Sequence, residues 1–145
     1  MWEELLLDYM GEFSNHCIPF PGLLEMLREL KENHYKLGII SNGKCQFQLD
    51  NIRALDIEKY FDTILISECE GMKKPDSEIF IKASEKLNVS LDESIFVGDH
   101  PLNDIKAAQS VGMIGIWKRN FLSHDFKTNL VIDNLKQLPC LIKNV

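Results

Sequence analysis

The 145-residue chain has no Cys-x-x-Cys pair, and its four cysteines, Cys17, Cys45, Cys69 and Cys140, stand apart with no histidine at zinc-finger offsets. That spacing argues against a zinc site or a disulfide framework and favours reduced thiols. Basic charge is also short, since 16 Lys and Arg against 22 Asp and Glu leave a net charge of −6. A broad electrostatic grip on nucleic acid or anionic lipid is therefore not expected, although a local cationic pocket is compatible with it. No apolar run approaches the roughly 20 residues of a membrane-spanning helix. The acidic start, Met1-Trp2-Glu3-Glu4, leads into no signal-like stretch, and a cytoplasmic location is the expectation. Internal repeats, low-complexity tracts and Gly/Ser linkers are missing too. What is present, 45% apolar and 26% charged residues, suits a globular domain with a real core.

Short continuous apolar runs at Lys36 to Ser41, Thr63 to Ser67, Ser94 to Val97 and Ile114 to Trp117, with a weaker one at Leu130 to Ile132, read as strands. Helical stripes lie between them: Leu23, Leu24, Leu27 and Leu30; Ile79, Phe80, Ala83 and Leu87; and Leu102, Ile105, Ala108 and Val111, the last stopped by Gly112. Apolar strands alternating with helices predict an α/β fold, a parallel sheet covered on both faces, with its site at the carboxyl ends of the strands. The less patterned tail after Asn120 is expected to close an edge of the sheet.

Three strand ends carry chemistry. Ser41-Asn42-Gly43 offers a hydroxyl and backbone amides in a tight turn, a cradle for phosphate oxygens, though taken alone it is an ordinary turn. In Glu68 to Asp76, Lys74 precedes Pro75, which keeps it from helical dihedrals and can aim its ammonium into a cleft; most lysines are simply solvated. The run Ile95-Phe96-Val97-Gly98-Asp99 is followed by Asp104, a carboxylate pair suited to Mg²⁺, or else a polar loop in which Asp104 opens a helix. Taken together, a hydroxyl with amides, a lysine and two acids are the equipment of phosphoryl transfer. Ser41, Asn42 and Gly43 would bind the phosphate with Lys74, and Asp99 would hold Mg²⁺ with Asp104 beside it. Ser41, Asn42 and Lys74 are thus the candidate catalytic residues.

In combination and order, Ser41-Asn42-Gly43, Lys74-Pro75-Asp76 and Gly98-Asp99-His100-Pro101-Leu102-Asn103-Asp104 resemble the second, third and fourth motifs of the haloacid dehalogenase (HAD) superfamily. The likeness runs on through Glu78-Ile79-Phe80, Ala107-Ala108 and Gly112-Met113 and covers roughly residues 19 to 118. It implies a Rossmannoid three-layer parallel sheet, Mg²⁺ as cofactor and a small phosphorylated metabolite as substrate, with neither nucleic acid nor membrane as partner. Because Gly98-Asp99 resembles the metal-dependent phosphatases, and the metal-free dehalogenases usually carry Ser there, phosphate ester is favoured over halogenated acid.

The family's first motif, a strand ending Asp-x-Asp-Gly-Thr that supplies the nucleophile, does not occur in the sequence. Its strand lies in the family between those ending at Ser41 and Val97, so the sheet is expected to be incomplete on its amino-terminal side. Two edges would then be left unpaired, at about 1–3 kcal/mol per buried group, unless a second copy covered them. Two readings of the amino end follow. Trp2, Leu5, Leu6, Tyr9, Met10 and Phe13 share a helical face and resemble the last helix of a mobile cap, which divides the chain into a cap remnant, 1–18, and a core, 19–145. The less favoured alternative is that Leu5-Leu6-Leu7-Asp8 replaces the missing strand, with Asp8 as substitute nucleophile and Met10 where the second acid would stand. The chain is expected to be the carboxyl-terminal part of a HAD hydrolase, inactive alone if the nucleophile is missing; a non-catalytic remnant that binds phosphate, metal or a protein is the rival. His16, His34 and His124 are read as solvated or capping, His100 as a bystander to the acidic loop, and Trp117 as a strand-end packing residue.

Overall fold

The computed structural model describes residues 4–8, 22–119 and 126–143. Six strands, β1 (Glu4–Asp8), β2 (Lys36–Ser41), β3 (Thr63–Ile66), β4 (Ser94–Gly98), β5 (Ile114–Lys118) and β6 (Val131–Ile132), form one sheet. Their order is β3-β2-β1-β4-β5-β6, and every pairing is parallel. The helices are α1 (Leu23–Glu32), α2 (Cys45–Ala54), α3 (Ser67–Glu70), α4 (Ser77–Leu87), α5 (Ala107–Ser110) and α6 (Leu138–Lys143), with a π-helical turn over Pro101–Lys106 running into α5.

The helix expected across the amino end is not what residues 4–8 adopt. They fill the gap between β2 and β4, pairing Leu5 with Leu37 and Ile95, Leu7 with Ile39 and Val97, and Asp8 with Gly98. Three consecutive leucines suit a strand flanked on both sides as well as they suit a helical stripe, and apolar runs this short do not separate the two by periodicity. The sheet is therefore continuous, and the two edges whose exposure argued for a second copy are paired. Residues 9–18, the rest of the expected cap remnant, lie outside the described residues, as do His16 and His124.

The strand period of two sorts the core into layers. Leu37 and Ile39 of β2 and Ile95 and Val97 of β4 pack with Leu23, Met26, Leu27 and Leu30 of α1 and with Leu138 and Ile142 of α6. On the other face, Ile40 and Phe96 pack with Ile79, Phe80, Ala83 and Leu87 of α4 and with Ala107 and Ala108. The tail does close an edge, since β6 pairs with β5, Trp117 opposite Val131. Helix α2 has no clear apolar stripe because its buried face is largely Gln48 and Asn51, with Ile52. Leu102 leaves its expected stripe and is 64% exposed, because the i→i+5 winding of its turn shifts it off the face that Ile105 and Ala108 share. Gly112, at φ 98° after α5, occupies the left-handed position expected of it. Among the described residues no helix is long and apolar enough to cross a membrane.

Candidate active site

All three chemistry-bearing segments start at the carboxyl ends of strands in this sheet. Ser41 closes β2, and its hydroxyl oxygen is fully buried without a hydrogen-bond partner among the described residues. A buried hydroxyl left unpaired costs about 1–3 kcal/mol, so its persistence needs an explanation such as an absent ligand. Asn42 joins the next loop: its side-chain amide donates to Lys74 O at 3.0 Å and its Oδ1 accepts from Lys74 N at 2.9 Å. This two-point clamp fixes the Lys74 backbone, whose peptide to Pro75 is cis. Asp76 then takes the N-cap position of α4, as expected of an acid that starts a helix, although its side chain makes no capping bond.

Gly43 is engaged differently from the expectation. Its N–H donates to Ser67 Oγ at 2.9 Å, while the Ser67 hydroxyl lies 3.2 Å from Gly43 O and Glu68 N donates to the same carbonyl. Cys45 N, at the start of α2, donates to Glu68 Oε1 at 3.1 Å. Cys45 and Cys69 are joined in a disulfide with Cα atoms 5.4 Å apart, which corrects the reading of both as reduced thiols. Spacing rules recognise pairs close in sequence, and these two are 24 residues apart, brought together by adjacent strands β2 and β3. Cys140 lies outside this bridge and is exposed.

Lys74 is 4% exposed and Asp104 1%; their Nζ and Oδ1 atoms are 2.7 Å apart. Lys74 also lies over the Phe96 ring, 5.7 Å from its centroid. Burial pushes its pKa below the ordinary lysine value of 10.5, opposed by the carboxylates of Asp104 and then Asp99. The second Asp104 oxygen accepts from His100 N at 3.0 Å. Gly98 is what allows Asp104 this position, because a Cβ there would come within 2.6 Å of Asp104 Cβ and Cγ. His100 does more than stand beside the acidic loop: its Nδ1 accepts from Leu102 N at 3.3 Å and Asn103 N at 3.0 Å, capping the π-helical turn. His34, by contrast, sits in the left-handed turn after α1 and is exposed, as expected of a solvated side chain.

Asp99 follows β4 directly, beside the strand end that carries Asp8. Among the described residues no three His, Cys, Asp or Glu side chains cluster as a metal cage. Mg²⁺ is commonly held by only one or two carboxylates with waters and a substrate phosphate, and Asp99 with Asp104 fits that lighter donor set. Asp104 keeps oxygen lone pairs beyond those its two donors use.

The structure thus joins Asn42 to Lys74 and Lys74 to Asp104, sets Asp99 close enough for Lys74 to feel its charge, and leaves Ser41 Oγ unsatisfied at the neighbouring strand end. The chain matches the family of haloacid dehalogenase-like hydrolases over residues 1–117. It belongs to that family. It is 41% identical over 97 residues to a glyceraldehyde 3-phosphate phosphatase of Pyrococcus abyssi, an alignment covering 67% of this chain and 41% of that one. Among solved structures it resembles a HAD phosphatase from Thermococcus onnurineus, with a TM-score of 0.78 and 26% identity over 92% of this chain and 64% of the other. It also resembles the HAD-hydrolase YfnB of Bacillus subtilis bound to magnesium, with a TM-score of 0.77 and 25% identity over 94% of this chain and 61% of the other. The chain spans between 41% and 66% of the length of the Pyrococcus abyssi and Methanothermobacter thermautotrophicus phosphatases it matches. Sequence reasoning missed the contacts of Ser67, Glu68 and His100, which come from residues distant in sequence or from local capping that motif spacing does not encode.

Proposed function

We propose that this HAD-type site binds the phosphoryl group of a small phosphomonoester and that its chemistry is Mg²⁺-dependent hydrolysis of that ester. The observation that carries the reading is the buried, unpartnered Ser41 hydroxyl at the strand end next to the Lys74–Asp104 pair. In this reading Ser41 donates to a phosphate oxygen, Asn42 holds the lysine loop in place, and the Lys74 ammonium offsets phosphate charge in a nearly dry setting where that charge counts most. Asp99 and Asp104 would hold Mg²⁺, which when bound supplies charge neutralisation to the phosphate. Asp8, at the end of β1 and level with Gly98, is the carboxylate that would attack phosphorus. A phosphorylated metabolite as substrate and a cytoplasmic setting complete the proposal; the glyceraldehyde 3-phosphate phosphatase relatives support the substrate class.

Phosphate binding without turnover is the second reading, favoured by the sequence, in which Met10 takes the motif position of the second, proton-transferring acid. Release of p-nitrophenol from p-nitrophenyl phosphate, with and without Mg²⁺, separates the two. The first reading expects Mg²⁺-dependent release that is lost in both Asp99→Ala and Asp8→Asn. A folded chain that binds phosphate yet releases nothing establishes the second.

A further inference from the structure

We infer that Trp117 is a positioning residue for the acidic loop, fixing the Asp99 peptide and through it the Asp99 carboxylate; this rests on the reading of Asp99 as a metal ligand. Asp99 is the first residue beyond β4, and Gly98, the last β4 residue paired with β5, stands opposite Trp117. The loop that follows is closed on itself. His100 N donates to Asp104, and Asp104 N and Ile105 N donate to His100 O. The Asp99–His100 peptide is thus held at its N–H by Asp104, and the Trp117 indole holds its other pole, its Nε1–H donating to Asp99 O at 3.0 Å.

The donor is itself held on several sides. Trp117 is 4% exposed, its backbone N–H donates to Leu130 O at 3.0 Å, and its residue pairs with Val131 in β6. Phe126 meets the indole edge-to-face with centroids 5.1 Å apart. The tail therefore has a role beyond covering the sheet edge: Phe126 and β6 set the indole, and the indole sets the acidic loop. Metal ligands depend on partners of this kind, because a carboxylate whose backbone can rotate samples many orientations, of which few suit a cation.

Trp117→Phe keeps an aromatic ring for Phe126 and removes the donor. In the metal-free chain, amide hydrogen exchange at His100 and Asp104 is expected to accelerate about fivefold, while the amides of β2 and α4 are unchanged. Calorimetric titration with Mg²⁺ should show affinity weakened about five- to tenfold. Unchanged loop exchange, acceleration spread over the whole sheet, or faster loop exchange with unaltered Mg²⁺ affinity would each overturn the inference. A wild-type chain that takes up no Mg²⁺ would instead remove the metal reading, leaving the exchange result to decide the Trp117 link. Should Trp117→Phe fail to fold, the wild-type chain supplies a second readout, the indole N–H resonance of Trp117, with Trp2→Phe assigning it. That resonance should shift on Mg²⁺ addition, and an unmoved resonance at saturating Mg²⁺ overturns the inference.

Discussion

Replacing Lys74 by Met strands the Asp104 carboxylate. At 1% exposure Asp104 would keep only the His100 amide, and its partner at 2.7 Å would be gone. Removing one member of a buried ion pair costs about 3–5 kcal/mol, because the remaining charge is neither solvated nor compensated. Asp104→Asn leaves a buried ammonium facing a neutral amide, at a similar or somewhat smaller cost because Lys74 can shed its proton. The double variant Lys74→Met/Asp104→Asn removes both charges while the asparagine oxygen can still accept from His100 N, so it should lose only about 1–3 kcal/mol. Urea unfolding of the four proteins gives the coupling energy, expected to be at least about 2 kcal/mol. The pair also has a pH signature. Because the folded-state pKa of Lys74 lies below 10.5, the unfolded chain binds more protons between that lowered value and 10.5, and stability should rise with pH through this window relative to Lys74→Met. Single-variant losses below about 1 kcal/mol that add to within about 0.5 kcal/mol would refute the burial and pairing argument.

Ser41→Ala removes an unpartnered buried hydroxyl, so it should leave stability unchanged or raised by up to about 1 kcal/mol while weakening phosphate binding severalfold; calorimetry with inorganic phosphate checks the second part. Gly98→Ala sets a Cβ within 2.6 Å of Asp104 and should destabilise by about 1–3 kcal/mol, read as a lowered urea midpoint. Reduction of the Cys45–Cys69 bridge opens a closure of 24 residues, for which chain entropy predicts a loss of about 3 kcal/mol. A reduced chain whose urea midpoint equals that of the oxidised one would contradict that estimate.

Wherever apolar runs alternated with amphipathic stripes, the fold could be read in the sequence, and β2, β3, β4, β5 and β6 lie where those runs are. Ser41, Lys74, Asp99 and Asp104 could be singled out in the sequence because Ser41 closes β2, Asp99 follows β4, and Lys74 and Asp104 lie in the segments that continue from the carboxyl ends of β3 and β4, the side of a parallel α/β sheet that opens into a crevice. Residues 4–8 were harder, because Leu5-Leu6-Leu7 satisfies a strand buried on both faces and a helical stripe alike, and only the gap between β2 and β4 decides in favour of the strand. Helix α2 was hidden by its polar buried face, Gln48 and Asn51. The disulfide, the Asn42 clamp and the Trp117 bond were beyond reach because each joins segments at least 18 residues apart, and only the three-dimensional arrangement sets such distances.

Calorimetric titration of inorganic phosphate into the wild-type chain and into Lys74→Met/Asp104→Asn, each with Mg²⁺, tests the central claim most directly. Saturable one-site binding by the wild type, lost in a double variant that still unfolds cooperatively in urea, is the predicted result. A folded wild type that binds no phosphate, or a double variant that binds it equally well, would show that Ser41, Lys74, Asp99 and Asp104 do not form a phosphate site.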